Sequence, residues 1–149
     1  MEIEVKDLDH LGIVAGIVDQ IGLVEEIDQV VGKHPQQKVS TGQVVKAMIL
    51  NGLGFVSAPL YLFGTFFVGK ATEHLIGEGV EPEHLNDDRL ARALDELWEQ
   101  GLTSLFTRIA MLAQQRFEVK TQSLHLDSTS FSVEGNYQSY VGLPAFPVV

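Results

Sequence analysis

The segment HLDSTSFSVEGNY, residues 125–137, sets one carboxylate, Asp127, among residues that alternate like a half-buried strand. If Ser123 to Ser128 is extended, Leu124 and Leu126 face one side while His125 and Asp127 face the other, because successive side chains on a strand point to opposite faces. A carboxylate near the end of a strand is rigidly presented, which suits it to hold a metal ion or a water. His125 and Asp127 together are an incomplete metal site. A phosphoaspartate mechanism lacks the second acid two positions on, where Thr129 stands. The acids of residues 73–88, with His74 and His84, are the other metal-ligating grouping, but their irregular spacing in a loop-like composition reads as a solvated charged face. The chain has no GxxxxGK phosphate loop, no nucleophile elbow and no cysteine.

Charge patterning supplies the candidate nucleic-acid contacts. The net charge of −10 speaks against a domain that grips nucleic acid with its whole surface, since phosphate neutralisation needs clustered Lys and Arg. The acids, however, concentrate in residues 1–30 and 73–100, whereas Val31 to Thr72 contain Lys33, Lys38, Lys46 and Lys70 and no acid. These four lysines are the candidate DNA contacts. The plainer reading is a mostly buried middle section edged by a few solvated lysines.

A chain of 149 residues at 45% hydrophobic and 20% charged is long enough for one ordinary domain with a core. Cysteine-free composition suits a reducing cytosol, and the acidic N-terminus MEIEVKDLD lacks the pattern of a secretory signal, so the expected location is cytoplasmic. Ala47 to Gly69 is uncharged and as long as a membrane span. Asn51, Ser57, Pro59 and four glycines argue instead for two buried helices broken at Ser57-Ala58-Pro59.

Periodicity predicts a mainly α architecture. Ile3 to Val5 reads as a short extended arm. Leu8, Leu11, Val14, Ala15 and Val18 recur at helical spacing, with Asp7 as N-cap and Gly22 as stop. Leu23 to Val31 forms a second helix closed by Gly32, and Ser40 or Thr41 caps a third carrying Val44, Val45, Met48, Ile49 and Leu53. Pro59 suits the first turn of the next helix. Asn86 caps a helix with the stripe Leu90, Ala93, Leu94, Leu97 and Trp98, ended by Gly101, and a last helix carries Leu102, Leu105, Phe106, Ile109, Leu112 and Ala113. These stripes, aromatic residues included, are expected to bury one another. After Phe117 the period shortens to two and Gly135-Asn136 signals a turn. The expected organisation is a multi-helix domain over residues 1–118 and the start of a β-hairpin or sheet over 119–149.

The ordered segments DHLGIVAGIVDQIGLVEEID, VSTGQVVKAMILNGLGFVSAPLYLF, LNDDRLARALDELW and LHLDSTSFSVEGNY resemble the N-terminal part of bacterial insertion-sequence transposases of the DDE class. The resemblance covers residues 3 to 137. It implies a helical N-terminal domain followed by a ribonuclease H-like catalytic domain, with Asp127 as the first of three catalytic, metal-binding carboxylates. It also implies DNA, at insertion-sequence ends, as partner, and Mg2+ or Mn2+ as cofactor. In such chemistry two divalent ions about 3.5 to 4 Å apart activate the attacking oxygen and stabilise the leaving one, and one carboxylate cannot hold both alone.

After Tyr137 the sequence departs from that family, ending in QSYVGLPAFPVV with no second Asp and no Glu at the implied positions. Glu134 lies beside the predicted turn and matches neither. The expectation is therefore a truncated or frameshifted transposase product, inactive alone, with an incomplete sheet whose unpaired edge favours homo-oligomerisation or poor order in about the last 20 to 30 residues. The alternative expectation is a non-catalytic helical module that binds DNA ends or assembles with another transposase chain.

Overall fold

The computed structural model describes residues 5–34 and 36–120 of the protein. They form seven α-helices and no named strand: α1 (Leu11–Ile21), α2 (Leu23–Val31), α3 (Thr41–Gly52), the single turns α4 (Phe63–Phe66) and α5 (Thr72–Leu75), α6 (Asp87–Gln100) and α7 (Leu102–Phe117). The mainly α expectation is met among the described residues. The expected sheet start, including Asp127, lies outside them.

Local signals explain most boundaries. Gly22 sits at φ 76°, where a side chain would be strained, so one residue both ends α1 and starts α2. Ser40 and Gln43 form a reciprocal capping box on α3: the Gln43 amide donates to Ser40 Oγ at 3.2 Å and the Ser40 amide to Gln43 Oε1 at 2.9 Å. Asn86 caps α6 by accepting from the Arg89 amide at 2.9 Å. Asp87 and Asp88 fill the first turn, where the helix dipole favours negative charge.

The start of α1 differs from the prediction. Asp7 is not its N-cap. The chain turns at Asp9, whose φ of 47° is left-handed, and the helix begins after His10 without a side-chain cap. Asp7 instead forms a parallel bridge with Lys70: its amide donates to the Gly69 carbonyl and its carbonyl accepts from the Ala71 amide, both at 3.0 Å. Leu8 consequently lies outside the helix.

Two hydrophobic clusters hold the helices. The larger joins Leu11 and Ala15 of α1 and Val44, Ala47 and Leu50 of α3 to Phe63, Phe67, Leu75 and Leu85, with Leu90 and Ala93 of α6. The smaller joins Val18, Leu23, Ile27, Leu97 and Leu105. Helices α2 and α3 approach closely because Gly42 has no side chain; a Cβ there would collide with the Val24 carbonyl oxygen and lie 2.8 Å from Val24 Cα.

The uncharged stretch 47–69 is not two buried helices. Helix α3 stops at Gly52, and the Asn51 side chain spans the loop that follows, donating to the Ala58 carbonyl at 2.9 Å and accepting from the Ala58 amide at 2.8 Å. Pro59 precedes a 3-10 turn, Leu60–Leu62, which runs into α4. No helix among the described residues is long and apolar enough to cross a membrane.

The expectation that the aromatic stripes bury one another also needs correction. Phe63 and Phe67 are buried, but Trp98 is 74%, Phe106 72% and Phe55 87% exposed. The reason is geometric. Each of α6 and α7 turns only one narrow stripe inward, Leu90, Ala93 and Leu97 from α6 and Leu105 from α7, and the apolar residues one step around each helix face outward.

Candidate functional site

The sequence-derived candidates do not converge on one place. Lys33 is exposed on the connector after α2. Lys46, on α3, is only 2% exposed and its Nζ lies 2.5 Å from Asp19 Oδ1 of α1, so its ammonium faces protein rather than solvent. Lys70 is mostly covered, 3.5 Å from Asp9 Oδ2 and 5.1 Å from the centroid of the Phe66 ring. Lys38 is exposed and lies 3.3 Å from His84 Nε2. Asp127 lies outside the described residues. Among those residues no group of three or more His, Asp or Glu side chains could hold a metal ion. The divalent cation implied by the DDE resemblance finds no fitting site there and bears only on Asp127.

Two polar constellations are formed instead. In the first, the Arg89 guanidinium reaches from α6 across to the start of α3. Its Nε donates to the Val39 carbonyl at 3.0 Å, one η nitrogen donates to Thr41 Oγ1 at 2.8 Å, and the guanidinium forms an ion pair with Glu96 at 3.3 Å. Glu96 also accepts from Thr41 Oγ1 and from Gln37 Nε2. Arg89 and Glu96 are seven positions apart, so both point off the same side of α6. The network closes the floor of a cleft of about 530 Å³, walled by Gln36, Lys38, Glu81, Glu83, His84 and Arg92.

In the second, His10 is held between two acceptors. Nδ1 lies 2.5 Å from Asp9 Oδ1 and Nε2 lies 2.9 Å from the Leu53 carbonyl, while the ring packs 4.1 Å from that of Phe55. The Leu53 carbonyl raises the His10 pKa above its ordinary value, and the Asp9 carboxylate adds to this against opposing desolvation and the repulsion of Lys70. The Asp9 pKa is lowered, chiefly because its carboxylate accepts from the His10 amide. Sequence periodicity has no signal for this pairing, since Leu53 is brought to His10 only by the packing of α3 on α1. The arginines of α6 had a faint one, their placement three residues apart on a capped helix.

A family model described as a domain of unknown function (DUF4277) matches residues 3–111. The chain belongs to the DUF4277 family. The matched range takes in both hydrophobic clusters, the Arg89–Glu96 network, the His10 contacts and most of α7. No curated protein and no solved structure matches the chain significantly. Within the DUF4277 match the polar side chains mainly hold elements to one another. Asp28 Oδ1 accepts from the Gly42 amide at 2.8 Å, Arg108 of α7 pairs with Glu26 of α2, and Lys46 ties α3 to α1. Among the exposed side chains, most of them polar, stand large apolar ones: Leu94 and Trp98 along α6, and Leu102 and Phe106 along α7.

Proposed function

We propose that this chain is the N-terminal part of an insertion-sequence DDE transposase, a cytoplasmic protein, and that its helical domain works as a protein-assembly module rather than as the catalytic or main DNA-gripping part. The observation that carries the assembly reading is the paired outward rows Leu94/Trp98 and Leu102/Phe106, spaced four apart on two packed helices. Exposed Trp and Phe at helical spacing are typical anchors of protein interfaces. The cations point the same way, since Lys46, Lys70, Arg89 and Arg108 all have acidic partners within the domain. The transposase assignment is supported by the association of the DUF4277 family with transposases and by the resemblance that runs on to LHLDSTSFSVEGNY.

In this reading strand cleavage and transfer of DNA belong to a carboxylate set whose first member is Asp127, with Mg2+ or Mn2+ as its metal. The 149-residue chain, without the other two acids, does not cut DNA by itself. The partner of the helical face is a second copy of the chain. Sedimentation velocity tests this directly: the wild type self-associates, and Trp98→Glu with Phe106→Glu gives a monomer whose melting, compared at a dilution where the wild type is also monomeric, is unchanged to within about 0.5 kcal/mol, as expected of exposed positions. A wild-type chain that stays monomeric at high concentration overturns the assembly reading. Divalent-metal-dependent nicking by this chain, abolished by Asp127→Ala, overturns its inactivity.

A further inference from the structure

The cleft beside the Arg89–Glu96 network contains a mismatch of hydrogen-bonding roles. His84 Nδ1 lies 3.1 Å from the Glu81 backbone N–H, which donates to it, so Nδ1 must present its lone pair and the ring proton must sit on Nε2. Nε2 in turn lies 3.3 Å from Lys38 Nζ. A lysine ammonium carries donors only, so two N–H donors converge on one point of the cleft wall with no acceptor among the described residues within hydrogen-bonding distance of Nε2. The resident carboxylate nearest to it, Glu81 Oε2, stands 3.8 Å from Nε2, too far for a hydrogen bond, and its side chain is mostly exposed.

The other charged groups of the cleft sort cleanly. Arg89 and Glu96 neutralise each other and spend their atoms on Val39, Thr41 and Gln37. Arg92 spends Nε on the Asp88 carbonyl at 3.1 Å, and its η nitrogens make no hydrogen bond within the described residues. Lys38, His84 and Arg92 therefore offer donors into about 530 Å³ of open space, opposed by Glu81 and Glu83.

We propose that this cleft binds a phosphate-class oxyanion, with one oxygen accepting from both Lys38 Nζ and His84 Nε2 and the Arg92 guanidinium completing the site. Glu81 is the internal competitor, displaced outward when the anion enters. A tetrahedral oxyanion supplies the missing acceptor to both donors at once, and charge-assisted bonds of this kind are the strong ones. The site is independent of the assembly face on α6 and α7.

The test follows the His84 ring nitrogens by two-bond proton–nitrogen correlation in the intact chain at constant pH. The protein is titrated with inorganic phosphate and, separately, with sodium chloride at matched ionic strength. Phosphate moves the Nε2 signal saturably and chloride does not. Lys38→Met weakens the phosphate response by about tenfold or more, the loss expected of one charged hydrogen bond, and Glu81→Gln strengthens it. Both positions are exposed, so unchanged circular-dichroism melts confirm that the variants fold. A short DNA duplex added to the phosphate-bound protein assigns the source. Competition that fades with salt marks a nucleic-acid backbone phosphate, and phosphate binding without competition marks a small phosphorylated ligand. No saturable response beyond chloride, or one that Lys38→Met leaves intact, overturns the site.

Discussion

Replacing Gly42 by alanine should unfold this domain more easily, although the same change at Gly16 should make it more stable. Both glycines lie in helices, where alanine is ordinarily the better residue by about 1 kcal/mol. A Cβ at Gly16 meets nothing within 4 Å. At Gly42 it would strike the Val24 carbonyl oxygen, approach Val24 Cα to 2.8 Å and Asp28 Oδ1 to 2.9 Å. Two of these three atoms are backbone of α2, so relief requires the helices to part, and overpacking of this kind costs about 1 to 3 kcal/mol. Parting them also stretches the bond from the Gly42 amide to Asp28, a bond to a charged group whose full loss costs about 1.5 to 3 kcal/mol. With the bond fully lost and set against the propensity gain, the net is about 1.5 to 5 kcal/mol of destabilisation. At roughly 4 °C per kcal/mol for a domain of this size, Gly42→Ala lowers the melting temperature by about 6 to 20 °C, while Gly16→Ala raises it by up to about 4 °C. Far-ultraviolet circular dichroism during heating and in urea measures both. A Gly42→Ala protein melting at or above the wild type would refute the close approach of α2 and α3.

Other perturbations probe other joints. Lys46→Met replaces a buried ammonium by an apolar chain of similar length and should leave stability within about 1 kcal/mol, whereas Asp19→Ala strands that ammonium and should cost about 2 to 4 kcal/mol; equal losses in urea melts would contradict the asymmetry. Because the His10 pKa is raised, its stabilising contacts are complete below the ordinary value of 6.5 and are lost as pH rises through the higher folded value. The difference in urea midpoint between wild type and His10→Asn should therefore shrink on the alkaline side, and a pH-independent difference would count against the pairing. The lowered Asp9 acts at the other end, contributing above 3.8 and fading as pH falls through its lower folded value. Asn51→Ala removes both bonds to Ala58, should cost about 1 to 3 kcal/mol, and should speed hydrogen exchange at the Ala58 amide; unchanged exchange there would show that the loop closes without the clamp.

Helix existence was legible wherever local chemistry decides it. Gly22, Gly32, Ser40, Asn86 and Gly101 all mark real boundaries, because caps and left-handed residues act within a few positions of themselves. Asp7 misled because its backbone is committed to residues 69 and 71, a partner no local pattern announces. Trp98 and Phe106 misled for a different reason: an apolar stripe shows that a face avoids water in the working protein, and says nothing of which chain covers it. Among the lysines, sequence could count charge but could not separate Lys46, buried against an acid from another helix, from Lys38 on the open connector. The cleft itself was only half visible, as His84 stood out by residue type while nothing in the sequence joined Arg89 or Arg92 to it.

The bridge between Asp7 and Lys70 has a bearing on the order of events in folding. The contacts between helices consecutive in the chain, such as α2 with α3, can form quickly, since little chain must be closed to make them. The bridge ties a segment near the start of the chain to one far along it, and its two backbone bonds gain nothing until α1 has docked against the helices that follow. It should therefore be among the last native contacts made and the first released. The Asp7 and Ala71 amides would then exchange through a shallow local opening, well before the buried interior of α3 does.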